Sequence, residues 1–114
     1  MKLNEKFTGG LYGLLIGDAL GVPYEFHPAN SIPSYQEIEM IPPDNFSRSH
    51  PTVAPGTYSD DGAQALCLLD SLITCQKFNL QDFSEKLSNW YQNGYWAVDH
   101  IVFDVGLQTS EALH

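Results

Sequence analysis

The residues whose types and spacing could do chemistry gather in one string, Gly56-Thr57-Tyr58-Ser59-Asp60-Asp61-Gly62. Adjacent carboxylates repel each other in water and are tolerated best where a cation or a helix dipole compensates them. Hard oxygen donors from a serine and two aspartates suit Mg²⁺, Mn²⁺ or Ca²⁺, whereas His27, His50, His100 and His114 share no ligand spacing and no Cys/His cluster speaks for zinc. Neighbouring helical residues diverge by roughly 100°, so Asp60 and Asp61 suit two ions, or a bridge between them, better than chelation of one. The string is not an EF-hand loop, because the alternating acidic positions and the terminal glutamate are missing. A competing reading is ordinary capping, with Ser59 as N-cap and each acid gaining about 0.3–1 kcal/mol from the helix dipole. On the string alone the two readings stand level.

The elements that must position these residues are helical. A helix over 60–76 carries Ala63, Ala65, Leu66, Cys67, Leu68, Leu69, Leu72 and Ile73 and is apolar nearly all round, which predicts a place at the centre of a bundle, with the acidic doublet at the edge of the core. An N-terminal helix over 4–21 lines up Gly9, Gly13, Gly17 and Gly21 along one side. Each interior glycine costs about 1 kcal/mol relative to alanine, so another element is expected to pack closely against that side. No phosphate-cradling GxGxxG or GxxxxGK[ST] pattern occurs. All seven prolines fall between positions 23 and 55, which rules out a continuous helix there. Tyr24, Phe26, Ile32, Tyr35, Ile38, Met40, Ile41 and Phe46 argue that much of this irregular connection is packed. A third helix should open with Asn79 as cap, Asp82 reaching back and Phe78 stapled onto Phe83. Phe83, Leu87, Trp90 and Tyr91 form its apolar face, and Gly94 ends it. After an aromatic loop, a last helix starts near Leu107 and looks cut short at His114.

Composition narrows the partners. The 114 residues hold five Lys plus Arg against fourteen Asp plus Glu, a formal net charge of -9, so there is no basic footprint for a nucleic acid. With 43% apolar residues, intrinsic disorder is excluded and one domain is the expected count. Cys67 and Cys75 lie on one helix, roughly 12 Å apart at about 1.5 Å rise per residue, beyond the ~7 Å reach of a disulfide. They are expected to be free thiols of a reducing compartment. The apolar run from Leu11 to Ile16 is short, ends at Asp18 and lacks a following cleavage pattern, so a soluble cytoplasmic protein with no membrane partner is expected.

The order of two motifs adds a resemblance. Gly13-Leu14-Leu15-Ile16-Gly17-Asp18-Ala19-Leu20-Gly21-Val22-Pro23-Tyr24-Glu25-Phe26, followed some thirty residues later by Gly56-Thr57-Tyr58-Ser59-Asp60-Asp61, resembles the N-terminal portion of the ADP-ribosylglycohydrolase family across nearly the whole chain. The resemblance implies an all-α helical bundle, with residues 1–114 as the N-terminal part of a single domain. It also implies a binuclear Mg²⁺ site, Mn²⁺ in some members, that cleaves the glycosidic bond at the anomeric carbon of ADP-ribose. Ser59, Asp60 and Asp61 match the family's first metal-ligand motif. Glu25 matches the glutamate after the first helix that approaches metals and substrate ribose, and Asp104, in Phe103-Asp104-Val105-Gly106, is similar to a later Asp-x-Gly element whose carboxylate acts on substrate or water. Gly62 stands where many members have threonine. The implied partners are an ADP-ribosylated protein or an ADP-ribose-containing small molecule.

The family's second, C-terminal Asp motif does not occur after Asp104. The chain alone is therefore expected to be inactive, a missing C-terminal half or self-association covering its apolar surface. The alternative is a non-enzymatic helical module that keeps the scaffold. Other residues read plainly: Asp18 as an internal hydrogen-bonding group, the histidines as loop or surface positions, Trp90, Tyr91, Tyr95 and Trp96 as core before adenine stackers, and Glu37, Glu39 and Asp44 as a solvated loop.

Overall fold

The proline-free flanks are helical and the proline-rich middle is not. A computed structural model describes residues 1–114 and shows four α-helices and no strands: α1 Leu3–Gly21, α2 Asp60–Cys75, α3 Leu80–Asn93 and α4 Leu107–Leu113, with three short 3-10 turns between α1 and α2 and one between α3 and α4. The backbone divides into two compact units, Met1–Tyr58 and Ser59–His114. No helix is long and apolar enough to cross a membrane.

In the first unit, Glu5 Oε2 accepts a 3.0 Å hydrogen bond from the Lys2 backbone N–H, closing the start of α1. The helix passes at Val22 into the 3-10 turn Val22–Tyr24, where Pro23 fits because an N-terminal position needs no N–H. Ala19, Val22, Pro23 and Tyr24 are buried. Tyr24 anchors the following loop: its hydroxyl donates to Glu39 O at 2.8 Å, accepts from Glu39 N–H at 3.2 Å, and its ring lies 5.2 Å from Phe46. The connection is thus packed only around Tyr24 and Phe46; Phe26, Tyr35 and Ile41, expected to pack, are exposed. The glycine side of α1 differs from expectation. A Cβ placed at Gly9, Gly13, Gly17 or Gly21 would meet nothing within 4 Å, so no element lies close enough to offset those glycines. Leu3, Phe7, Tyr12, Leu14 and Ile16 are likewise exposed.

In the second unit α2 packs on α3. The buried positions of α2 are Gly62 and a stripe of small residues at spacings of four, Ala63, Cys67 and Ser71, that permits close approach. This is narrower than an all-round apolar surface, for Leu72 and Ile73 lie exposed on other sides of the helix. The α3 start follows its local chemistry. Asn79 Oδ1 accepts from Asp82 N–H at 3.0 Å, and the Phe78 and Phe83 rings sit 6.3 Å apart. Asp82, however, reaches forward instead of back: its carboxylate takes the Lys86 ammonium one turn on, at 2.9 and 3.0 Å. Trp90 is 1% exposed and is the largest buried side chain, while Tyr91 joins α4 through a 3.0 Å hydrogen bond with Ser110. Gly94, at φ +75°, ends α3.

Both cysteines are free, and Cys67 is fully buried. Burial first, then the charge of Asp70, push the Cys67 thiol up to about 11, against a smaller opposing pull from Lys86. An unfolded chain releases this proton near pH 8.5–9, before the folded chain does, so the stability that the neutral buried thiol contributes is present below about pH 9 and lost as pH rises toward 11. Urea titrations at pH 8 and pH 10.5 should show the wild-type midpoint falling, with Cys67→Ala reducing that pH slope by about 2 kcal/mol. Equal slopes in the two proteins would show that Cys67 does not carry it.

Candidate functional site

In the second unit Ser59 caps α2: it is 4% exposed, and its hydroxyl oxygen accepts a 3.4 Å hydrogen bond from Asp61 N–H. Asp60, one residue into the helix, is half-buried, while Asp61 is exposed, the divergence expected of neighbours on a helix. The Asp60 carboxyl is pushed above the usual carboxylate range. Burial is the largest cause, followed by the negative charge of Asp61; hydrogen bonds from the Ser59 hydroxyl and, more weakly, the Asp61 N–H pull the other way, and the charge of Asp104 adds a smaller upward push. Asp104 therefore lies close enough to Asp60 to raise its proton affinity, although 44 positions of sequence separate them, and three acids share one neighbourhood.

The segment that delivers Asp104 is held by α2. Asp70 Oδ2 accepts from the Tyr95 hydroxyl and, at 3.1 Å, from Trp96 Nε1. Tyr95 and then Trp96 hold the Asp70 carboxyl below its ordinary range, and Asp70 in turn raises the Tyr95 phenol. These aromatics are thus loop anchors. Beyond them Asp104 is half-buried with φ +58°, a left-handed conformation that a non-glycine residue keeps only when its surroundings impose it.

In the first unit Glu25 leaves the 3-10 turn in an extended conformation and is half-buried. Its carbonyl oxygen accepts from the Ser49 hydroxyl and lies 2.7 Å from His27 Nδ1. Its carboxylate Oε2 lies 3.4 Å from His50 Nε2. His50, expected on a loop surface, meets it from 25 positions away, a separation no periodic signal spans. Glu37, Glu39 and Asp44 are exposed, as a solvated loop should be.

The donor set of the second unit fits a hard divalent ion. Serine and carboxylate oxygens are the donors Mg²⁺ and Mn²⁺ prefer, and repulsion of Asp60 by Asp61 and Asp104 is the interaction a cation would reverse.

Comparison with known proteins accords with this chemistry. The family model described as ADP-ribosylglycohydrolase matches residues 1–114, and the chain belongs to that family. It is similar to the ADP-ribosylarginine hydrolase Tri1 of Serratia proteamaculans, 35% identical over 109 residues, covering 96% of this chain and 28% of the relative. Tri1 of Pseudomonas putida is 33% identical, with 96% and 27% covered. The ADP-ribosylhydrolase ARH3 of Mus musculus is 30% identical over 89 residues, with 77% and 24% covered. The chain thus spans about a quarter of the length of these relatives. No solved structure gives a significant match.

Proposed function

We propose that this chain supplies part of a divalent-metal-dependent site that hydrolyses the glycosidic bond between ADP-ribose and a protein side chain or small acceptor. One observation carries the reading: Asp60 is partly desolvated beside Asp61 and Asp104 at the start of α2, an arrangement that raises its proton affinity and costs free energy unless positive charge is brought in. Ser59, Asp60 and Asp61 would hold the metal, Mg²⁺ first and Mn²⁺ as substitute. Bound ions would supply charge neutralisation and Lewis-acid polarisation at the ribose oxygens.

The chain's own residues do the rest. The Ser59 hydroxyl, bonded to Asp60, fixes the direction of that carboxylate. Asp104 and Glu25 handle protons: one carboxylate takes a proton from the attacking water while the bond from the anomeric carbon to the acceptor breaks with oxocarbenium character, and a proton is returned to the departing acceptor. The left-handed backbone at Asp104 and the hydrogen bonds to the Glu25 carbonyl fix the main chain from which each side chain starts.

The test uses the complete gene product. It is incubated with a protein ADP-ribosylated on arginine, the linkage for which the Tri1 relatives are named, and then with other ADP-ribosyl linkages. Chromatography should detect free ADP-ribose when Mg²⁺ is present and none after chelation. Asp104→Asn should lower turnover by about 100-fold or more while the circular dichroism spectrum stays unchanged. No release from any linkage would leave the helical scaffold without this chemistry.

A further inference from the structure

Residues 47–50 are laced to residues 23–27 by more than the chain's connectivity requires. Ser49 N–H donates to Pro23 O at 2.8 Å, the Ser49 hydroxyl donates to Glu25 O, and His27 spans the two segments with Nδ1 2.7 Å from Glu25 O and Nε2 2.8 Å from Ser47 O. At the end of this lacing His50 adopts φ +52°, and the turn behind it is closed by Val53 N–H donating to His50 O at 2.9 Å. A left-handed histidine is uncommon and is kept where surrounding contacts over-determine it. Here it directs the imidazole so that Nε2 faces Glu25 Oε2 at 3.4 Å, with the Phe26 ring 5.7 Å from the imidazole on another side. The side chains of His50 and Glu25 are 17% and 29% exposed, so water competes only partly for this contact.

From this we infer that His50 is a positioning residue for Glu25, its Nε2–H donating to Oε2 and holding the carboxylate against rotation about its last torsion. The inference rests on the hydrolase reading for its consequence in catalysis, but not for the pairing itself. A 3.4 Å bond adds little to stability, being close to the limit of hydrogen bonding. Its contribution is directional: a carboxylate that must meet a reacting proton loses rate when it samples other rotamers.

Two measurements test it. In the ¹⁵N-histidine-labelled chain at one fixed pH, Glu25→Gln should shift the ring-nitrogen resonances of His50 and leave those of His100 and His114 in place. In the complete gene product, His50→Ala should lower kcat about 10-fold with KM within about twofold, the split expected when orientation and not binding is lost. His50→Gln, which can return an N–H donor toward Oε2, should recover most of that loss. Unmoved His50 resonances in Glu25→Gln, or wild-type kcat in His50→Ala, overturns the assignment. A gene product that releases no ADP-ribose in any form overturns the hydrolase reading instead, and the ring spectra still decide whether the two side chains are paired.

Discussion

Magnesium titrated into the wild-type chain is expected to give calorimetric binding at about the micromolar level, and the double variant Asp60→Ala/Asp61→Ala is expected to give none. Without metal, the Asp60 carboxyl is partly desolvated and repelled by Asp61 and Asp104, which is why its proton affinity rises. A divalent cation reverses the sign of both effects, since it replaces lost hydration with direct coordination and turns neighbouring negative charge from a cost into a source of affinity. Saturation at a hundredfold excess over Kd stabilises a folded chain by about 2.7 kcal/mol, corresponding to about 10 °C or more in Tm for a unit of this size. If the doublet only begins a helix, the outcome is different. Its removal then costs the dipole interaction, about 1 kcal/mol or less per residue, equally with and without Mg²⁺, and both proteins titrate alike. Asp44→Ala serves as control, because that acid lies in the solvated loop and should leave the isotherm unchanged.

How much of this was legible in the sequence depends on the range of the interaction. Elements set by neighbours in the chain could be read closely. The helix expected over 60–76 is Asp60–Cys75, the Asn79 cap and the Phe78–Phe83 staple are in place, and Gly94 ends α3. Each depends on residues within a few positions of one another. The errors lie where the deciding partner is elsewhere. Asp82 could bond back to its cap or forward to Lys86, and the ammonium gave the stronger bond. The glycines of α1 signal what a helix surface can accept, not that something accepts it, and nothing lies within 4 Å of their sides. The α2 pattern gave the right helix but not the side it buries, since Ala63, Cys67 and Ser71 are smaller than the leucines and lie inward because α3 approaches there.

Of the candidate site, the acidic doublet was visible because its chemistry is contiguous, and Glu25 and Asp104 were visible only through resemblance. His50 was not visible in either way. Left-handed backbone is suggested in a sequence by glycine or asparagine, yet Phe26, His50 and Asp104 adopt φ +63°, +52° and +58° beside or at the candidate residues. Histidine and aspartate tolerate this region better than most side chains, but that tolerance does not say which of them adopts it, and tertiary contacts decide.

Gly94→Ala is the substitution expected to damage the second unit most. At φ +75°, alanine pays the left-handed penalty, about 1–2 kcal/mol. The larger effect is steric. A Cβ there would lie 2.1 Å from His100 O, 2.5 Å from its carbonyl carbon and 2.7 Å from its Cα, all backbone atoms that no rotamer change can move away. The loop is tied in place around that contact: Gly94 N–H donates to Trp90 O at 2.8 Å, Ala97 N–H to Gly94 O at 2.9 Å, and His100 N–H to Ala97 O at 3.1 Å. To admit the methyl group, residues 94–100 must break this chain of bonds or α3 must lose its last turn beside Trp90. Either cost is several kcal/mol, of the order of ~3 or more, against the ~5 kcal/mol that commonly holds a domain of this size together. Thermal melts should therefore show Gly94→Ala unfolding at a Tm lower by 10 °C or more, at about 4–8 °C per kcal/mol. Because the same loop carries the chain toward Asp104, its Mg²⁺ affinity should fall even at temperatures where α2 and α3 remain folded. A variant that melts like wild type would show that the 94–100 loop is free to move away from α3, and that Asp104 is not held where the carboxylate cluster requires it.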